Sequence, residues 1–104
     1  MCNRKNAIKI RYYNLGHKRC HYCCRQLNYK SGHKNSATVE HIIPKSKGGT
    51  LAQANTLVIC SECNRKRGHK DFLSFVSGSR FPRLGWLKDR LKTAKEHSIS
   101  IAEG

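Results

Sequence analysis

Apolar residues recur at helical spacing near the start of the chain, at Ile8, Tyr12 and Leu15. That spacing predicts a helix over residues 4–15, ended by Gly16 and coated by Arg4, Lys5, Lys9 and Arg11. Residues 37–43, ATVEHII, change to a β-branched run closed by Pro44, and predict a strand. Leu57, Val58 and Ile59 predict a second, shorter one. Ser61 reads as the N-cap of a helix running to about Arg67, with Gly68 ending it. Phe72, Phe75 and Val76 predict another turn or two of helix. Beyond Pro82, Leu84, Leu87, Leu91 and Ala94 form a stripe suited to core packing, and Arg83, Lys88, Arg90, Lys92 and Lys95 fall outside it. The segments between are polar: residues 28–36 predict a loop or hairpin turn, and residues 45–50, KSKGGT, a flexible basic loop.

No repeat or low-complexity linker interrupts this order. A chain of 104 residues allows one compact domain. We divide it into a basic N-terminal helix or arm (1–17), a central core (18–76) and a C-terminal amphipathic helix packed on that core (77–104). A domain of this size buries only about 60–65% of its unfolded surface, and a disulfide or structural metal is the usual supplement. No apolar run is long enough to span a bilayer. The first residues, MCNRKNAIKIRYY, are basic but lack the apolar stretch and cleavage site of a secretory signal. A reducing cytoplasm is therefore expected, where paired cysteines serve metal sites more often than disulfides.

Charge narrows the choice of partner. Lysine and arginine outnumber acids 21 to 6, for a formal charge of +15, and no acid precedes Glu40. Four metal-bound thiolates would leave the balance strongly positive. Such a chain is drawn to polyanions, of which nucleic acid is the commonest in cells.

The six cysteines carry the clearest spacing. Cys20-x2-Cys23 and Cys60-x2-Cys63 are two knuckles of equal spacing, and two such pairs complete a tetrahedral zinc site. A closed four-thiolate site leaves no position for substrate, so its role is structural. Cys2 and Cys24 are left over. Cys24 is an alternative to Cys23, and His17, His21 and His33 are alternative ligands. The simplest assignment leaves Cys24 as a free thiol beside its knuckle.

Between the knuckles runs Val39-Glu40-His41-Ile42-Ile43-Pro44-Lys45-Ser46-Lys47-Gly48-Gly49. Asn55, Leu57 and then Cys60-Ser61-Glu62-Cys63-Asn64-Arg65-Lys66-Arg67-Gly68 follow. This series resembles the HNH endonuclease family, and the preceding helix and CHYC knuckle resemble its zinc-containing branch; the likeness covers about residues 4–75. The resemblance implies a small α+β protein of the ββα-metal (HNH, or His-Me finger) fold, with a four-cysteine zinc site and flanking helices. It also implies a metal-dependent endonuclease that cuts DNA and leaves a 5′-phosphate and a 3′-hydroxyl.

Physical chemistry agrees with it. Phosphodiester hydrolysis needs an activated water, neutralisation of phosphate charge and a stabilised leaving oxygen. His41 is the natural general base. Glu40 and Asn64 offer hard oxygen ligands suited to Mg²⁺ or Mn²⁺. By resemblance, these two hold the catalytic ion, and Asn55 braces the loop and orients the histidine. Lys45, Lys47, Arg65, Lys66, Arg67 and Lys70 flank the site as candidate phosphate contacts. His69 fits either a phosphate contact or a plain surface residue.

Two positions depart from the family pattern: Glu40 stands where Asp is commoner, and Cys24 where Gly is common. One geometric demand follows from the strand itself. Glu40 and His41 point to opposite faces of a regular strand, so both serve one phosphate only if the strand bulges or ends there, or if the ion sits at its edge. Double-stranded DNA is the first expected substrate, with RNA as an open alternative. One active site would nick, and cutting both strands would need a dimer or two encounters. The compact motif fits a phage, mobile-element or restriction-type nuclease by analogy. The main rival is a non-catalytic zinc-ribbon nucleic-acid-binding protein, followed by a basic component of a ribonucleoprotein particle.

Overall fold

The computed structural model describes the backbone of residues 4–30 and 32–103, and the side chains of residues 5–30 and 32–97. Cys2 lies outside the described residues. Helix α1 (Arg4–Asn14) leads into the first knuckle and a polar loop. Strands β1 (Ala37–His41) and β2 (Thr56–Cys60) then flank a loop holding two single turns of 3-10 helix. Helices α2 (Ser61–Arg67), α3 (Phe72–Gly78) and α4 (Leu84–Glu103) complete the chain. The strands pair antiparallel, with Glu40 opposite Leu57 and His41 opposite Thr56.

Burial follows the residue pattern. All five residues of β2, TLVIC, are buried, whereas β1 alternates: Ala37 and Val39 are buried, Thr38 and Glu40 only partly. Helix α2 packs on both strands and α1 lies against β1. The two strands and α2 make the ββα unit, and Tyr22, Leu57, Ile59, Phe72, Val76 and Leu87 fill the core beside it. The stripe on α4 serves packing: Leu87 and Ala94 are buried, with Leu84 and Leu91 at their margin. Arg83 lies over the Trp86 ring at 4.0 Å. Arg90 is a tether as well as surface charge, donating a 2.8 Å hydrogen bond to the Gln53 carbonyl.

Several local expectations change. Leu15 is 70% exposed. The helix ends at Asn14, and Tyr12 is the inward residue, its hydroxyl 3.3 Å from the Thr56 carbonyl. Ser61 is not the N-cap of α2. Cys60 takes that place, its sulfur accepting from the Cys63 N–H, while the Ser61 hydroxyl donates to the Ser36 carbonyl. The first strand stops at His41, two residues short of the expected end.

The loop between the strands is tightly wound. Gly48 has φ 89° and its N–H bonds the Lys45 carbonyl; the next N–H, of Gly49, bonds the Pro44 carbonyl. A methyl group on Gly49 would collide with the Ile43 carbonyl and lie 2.8 Å from Nδ2 of Asn55. Gly78 has open space around it. Gly49→Ala should therefore cost about 1–3 kcal/mol in chemical denaturation, as overpacking does. Gly78→Ala should be near neutral; equal effects at the two positions would contradict the close approach.

Candidate active site and metal centre

Cys20 and Cys23 are the two ends of the first knuckle, and Cys60 and Cys63 span the join of β2 and α2. Their four sulfurs all lie within 4.8 Å of one another. A tetrahedron with Zn–S bonds of about 2.3 Å has edges of about 3.8 Å. Cys23 and Cys60 sulfurs stand 3.8 Å apart. The N–H groups of Tyr22 and Cys60 point at the Cys20 sulfur, at 3.4 and 3.3 Å, which favours thiolate there. A hydrogen bond from Cys63 pulls the Cys20 thiol down to about 5, and the same contact pushes Cys63 upward. The four cysteines are positioned to bind a metal ion, in a geometry consistent with structural zinc.

The alternative ligands are placed elsewhere. Cys24 stands outside the four-sulfur group, with φ 63° at the turn that leaves the knuckle. A non-glycine residue there carries a backbone cost of about 1–2 kcal/mol. His21 stands outside the four-sulfur group: its Nδ1 accepts the Val58 N–H at 2.9 Å and its ring packs on His17 and Trp86. Burial foremost, with the His17, Arg83 and Arg90 charges, lowers its pKa to about 3, so it stays neutral. His33 is exposed in the polar loop.

Glu40 and His41 do point apart, and the pairing is regular up to His41. No bulge forms among the described residues; the strand simply ends. A buried arginine joins the two. Arg67, 4% exposed, pairs with Oε2 of Glu40 at 3.3 Å. It also donates to the His41 carbonyl at 2.6 Å and to the Ile42 carbonyl at 3.1 Å. Tyr22 donates to the same Glu40 oxygen at 3.2 Å. Neither contact engages Oε1. Burial raises the Glu40 pKa, although Arg67 pulls it the other way. For His41, partial burial and the charges of Lys5, Arg67 and Lys45 lower the pKa below that of an ordinary imidazole, which favours the neutral ring.

Asn55 is buried, and its side chain replaces the strand ladder just past His41. Oδ1 accepts the Ile43 N–H at 2.7 Å, while Nδ2 donates to the carbonyls of Ile43 and Thr50 at 3.0 and 2.8 Å. Asn64 is exposed in the middle of α2, three residues before Arg67. Residues three apart share a helix flank, so Asn64 lies on the flank from which Arg67 reaches Glu40.

The expected phosphate contacts divide. Lys45, Lys47, Arg65, Lys66 and Lys70 are exposed, as is His69. Lys66 also pairs with Glu62 at 3.2 Å. Arg67 is a correction: its donors are used inside the protein, on Glu40, His41, Ile42 and the Lys70 carbonyl. Helical periodicity could have shown this, since Arg67 lies four residues after Cys63 and so on its inward face. Tyr22 joins the site without a motif of its own; its position between the two cysteines of the first knuckle is the one signal the sequence carries for it.

Residues 20–74 match the profile of a family described as HNH endonuclease. That span is more than half of the chain. The chain belongs to the HNH endonuclease family. A search of curated proteins finds no relative. In this HNH protein the matched span begins at the first knuckle and takes in both strands, α2 and the whole site described above.

Two outcomes follow from this arrangement. Removing a partner from a buried ion pair strands the remaining charge, so Arg67→Ala should lose about 3–5 kcal/mol of stability in denaturant titration. Arg67→Lys should recover only part of it, lacking the planar fork; full recovery would refute the multi-point role. A high-affinity chelator should lower the melting temperature of the wild type, and should not shift Cys63→Ser, already missing a ligand, by the same amount.

Proposed function

We propose that this HNH protein is a metal-dependent endonuclease that hydrolyses DNA phosphodiester bonds with His41 as general base. The observation that carries this reading is the state of His41. It is partly exposed at a strand end, beside Glu40, with a pKa held down by partial burial and nearby positive charges, and the backbone next to it is clamped by Arg67 and Asn55. Such an imidazole takes a proton from an attacking water without first losing one of its own. Asn55 acts as a brace for the segment that follows the histidine.

Glu40 and Asn64 are the proposed ligands of a catalytic Mg²⁺ or Mn²⁺. The donor set is hard oxygen, and Tyr22 and Arg67 fix Glu40 through Oε2, which leaves Oε1 for the ion. When bound, that ion would neutralise phosphate charge and stabilise the leaving oxygen. Zn²⁺ is the proposed occupant of the cysteine site. Lys45, Lys47, Arg65, Lys66 and Lys70 are proposed to hold the phosphates of double-stranded DNA around the site. One observation favours the non-catalytic reading, a zinc-ribbon nucleic-acid-binding protein: Arg67 partly neutralises the carboxylate meant for the ion.

Cleavage of supercoiled plasmid separates the two. With Mg²⁺ or Mn²⁺ the wild type should nick or linearise it, and His41→Ala should be about 10²–10⁴ slower. The acidic limb of the wild-type rate should have its midpoint below pH 6.5, because activity is lost only as the imidazole protonates. A folded, zinc-loaded protein that binds but never cuts would establish the binding module instead. A limb unchanged in His41→Ala would assign the base elsewhere.

A further inference from the structure

The C-terminal half of α1 and the loop after the first knuckle enclose a groove of about 1060 Å³, bordered by Tyr13, Asn14, Lys18, Tyr29 and Lys30. Tyr13 and Tyr29 also line a smaller hollow with Lys9 and Ile10. Tyr13 thus stands as a wall between two concavities and is 64% exposed. Tyr29 is fixed beside it, its hydroxyl donating to the His17 carbonyl at 2.7 Å. The two rings meet edge to face, 5.2 Å apart at 72°. No acid borders either hollow among the described residues.

This platform connects to the site. Lys5, Lys9 and Tyr13 recur every four residues, so they run along one flank of α1 over about 12 Å. Helix α1 lies against β1, the strand that carries Glu40 and His41, so this helix runs from beside the site to the platform. Lysines alone suffice for the phosphates of a duplex. An exposed tyrosine in a basic groove offers more, a π-face for a base that has no stacking neighbour of its own. In a duplex the base faces are already covered.

We infer that Tyr13, supported by Tyr29, is a stacking platform for an unpaired DNA strand that leaves the His41 site along Lys5 and Lys9. The protein would then prefer DNA with a single-stranded segment next to the cut over plain duplex. The direction of the track rests on the nuclease reading; the platform itself does not.

Binding without cleavage tests this, by fluorescence anisotropy in a His41→Ala background. A duplex carrying a single-stranded overhang should bind about tenfold tighter than the same blunt duplex. Tyr13→Ala should abolish that preference and leave blunt-duplex binding nearly unchanged, while Tyr13→Trp should keep it. A 2-aminopurine in the overhang should change its fluorescence on binding only when residue 13 is aromatic. Equal affinity for both DNAs, or equal weakening of both by Tyr13→Ala, would overturn the inference. So would sedimentation showing that Tyr13 pairs two copies of this chain. Because nothing is cut in these measurements, an overhang preference in a protein that never cleaves plasmid would count against the nuclease reading alone.

Discussion

The arrangement depends on four cysteine sulfurs that converge within 4.8 Å of one another, positioned to bind one metal ion. Cys60 ends β2 and Cys63 lies in the first turn of α2, with no loop between the two elements. Both must face Cys20 and Cys23, which fixes the angle at which α2 leaves the sheet. Once that angle is set, helical geometry carries the next inward residue to a definite place. One turn beyond Cys63, that residue is Arg67, and it arrives under the end of β1.

What Arg67 does there resolves a difficulty built into the chain. Two neighbouring residues of a strand cannot both face one substrate through regular pleating. Here the strand ends at the second of them, and a single guanidinium holds the side chain of the first and the carbonyl of the second. Asn55 fixes the segment immediately beyond from the other side. The histidine therefore sits on backbone held at both flanks, the preorganisation that its proposed role as general base requires. Tyr22 ties this clamp back to the first knuckle, so the four-cysteine group and the catalytic candidates share one network.

The charge of the protein is also divided by burial. Arg67 and Glu40 offset each other inside, whereas Lys45, Lys47, Arg65 and Lys70 remain at the surface around the site. The acid-free stretch before Glu40 supplies α1 and the groove at its end. The positive field thus extends from the strand end along α1, well beyond the HNH motif itself.

Much of this was written in the order of residues. Ligand spacing, the β-branched run before Pro44, the apolar stripe on α4 and the Glu-His, Asn, Cys-x2-Cys-Asn series are all local, and each carries its meaning through chain geometry alone. The family match covers the same stretch, residues 20–74. The sequence by itself therefore determined the ββα fold class and the cysteine group. The partner of a buried charge is different, because it depends on which distant segments meet. Arg65, Lys66 and Arg67 are alike as letters, yet only packing puts the third inside against Glu40 and leaves the other two in water. Likewise Cys60 displaced Ser61 as the helix cap, because a sulfur at the start of α2 in the four-cysteine group also accepts from the free Cys63 N–H. The tertiary structure alone decided these matters, since burial and desolvation are properties of the assembled core and not of any one segment.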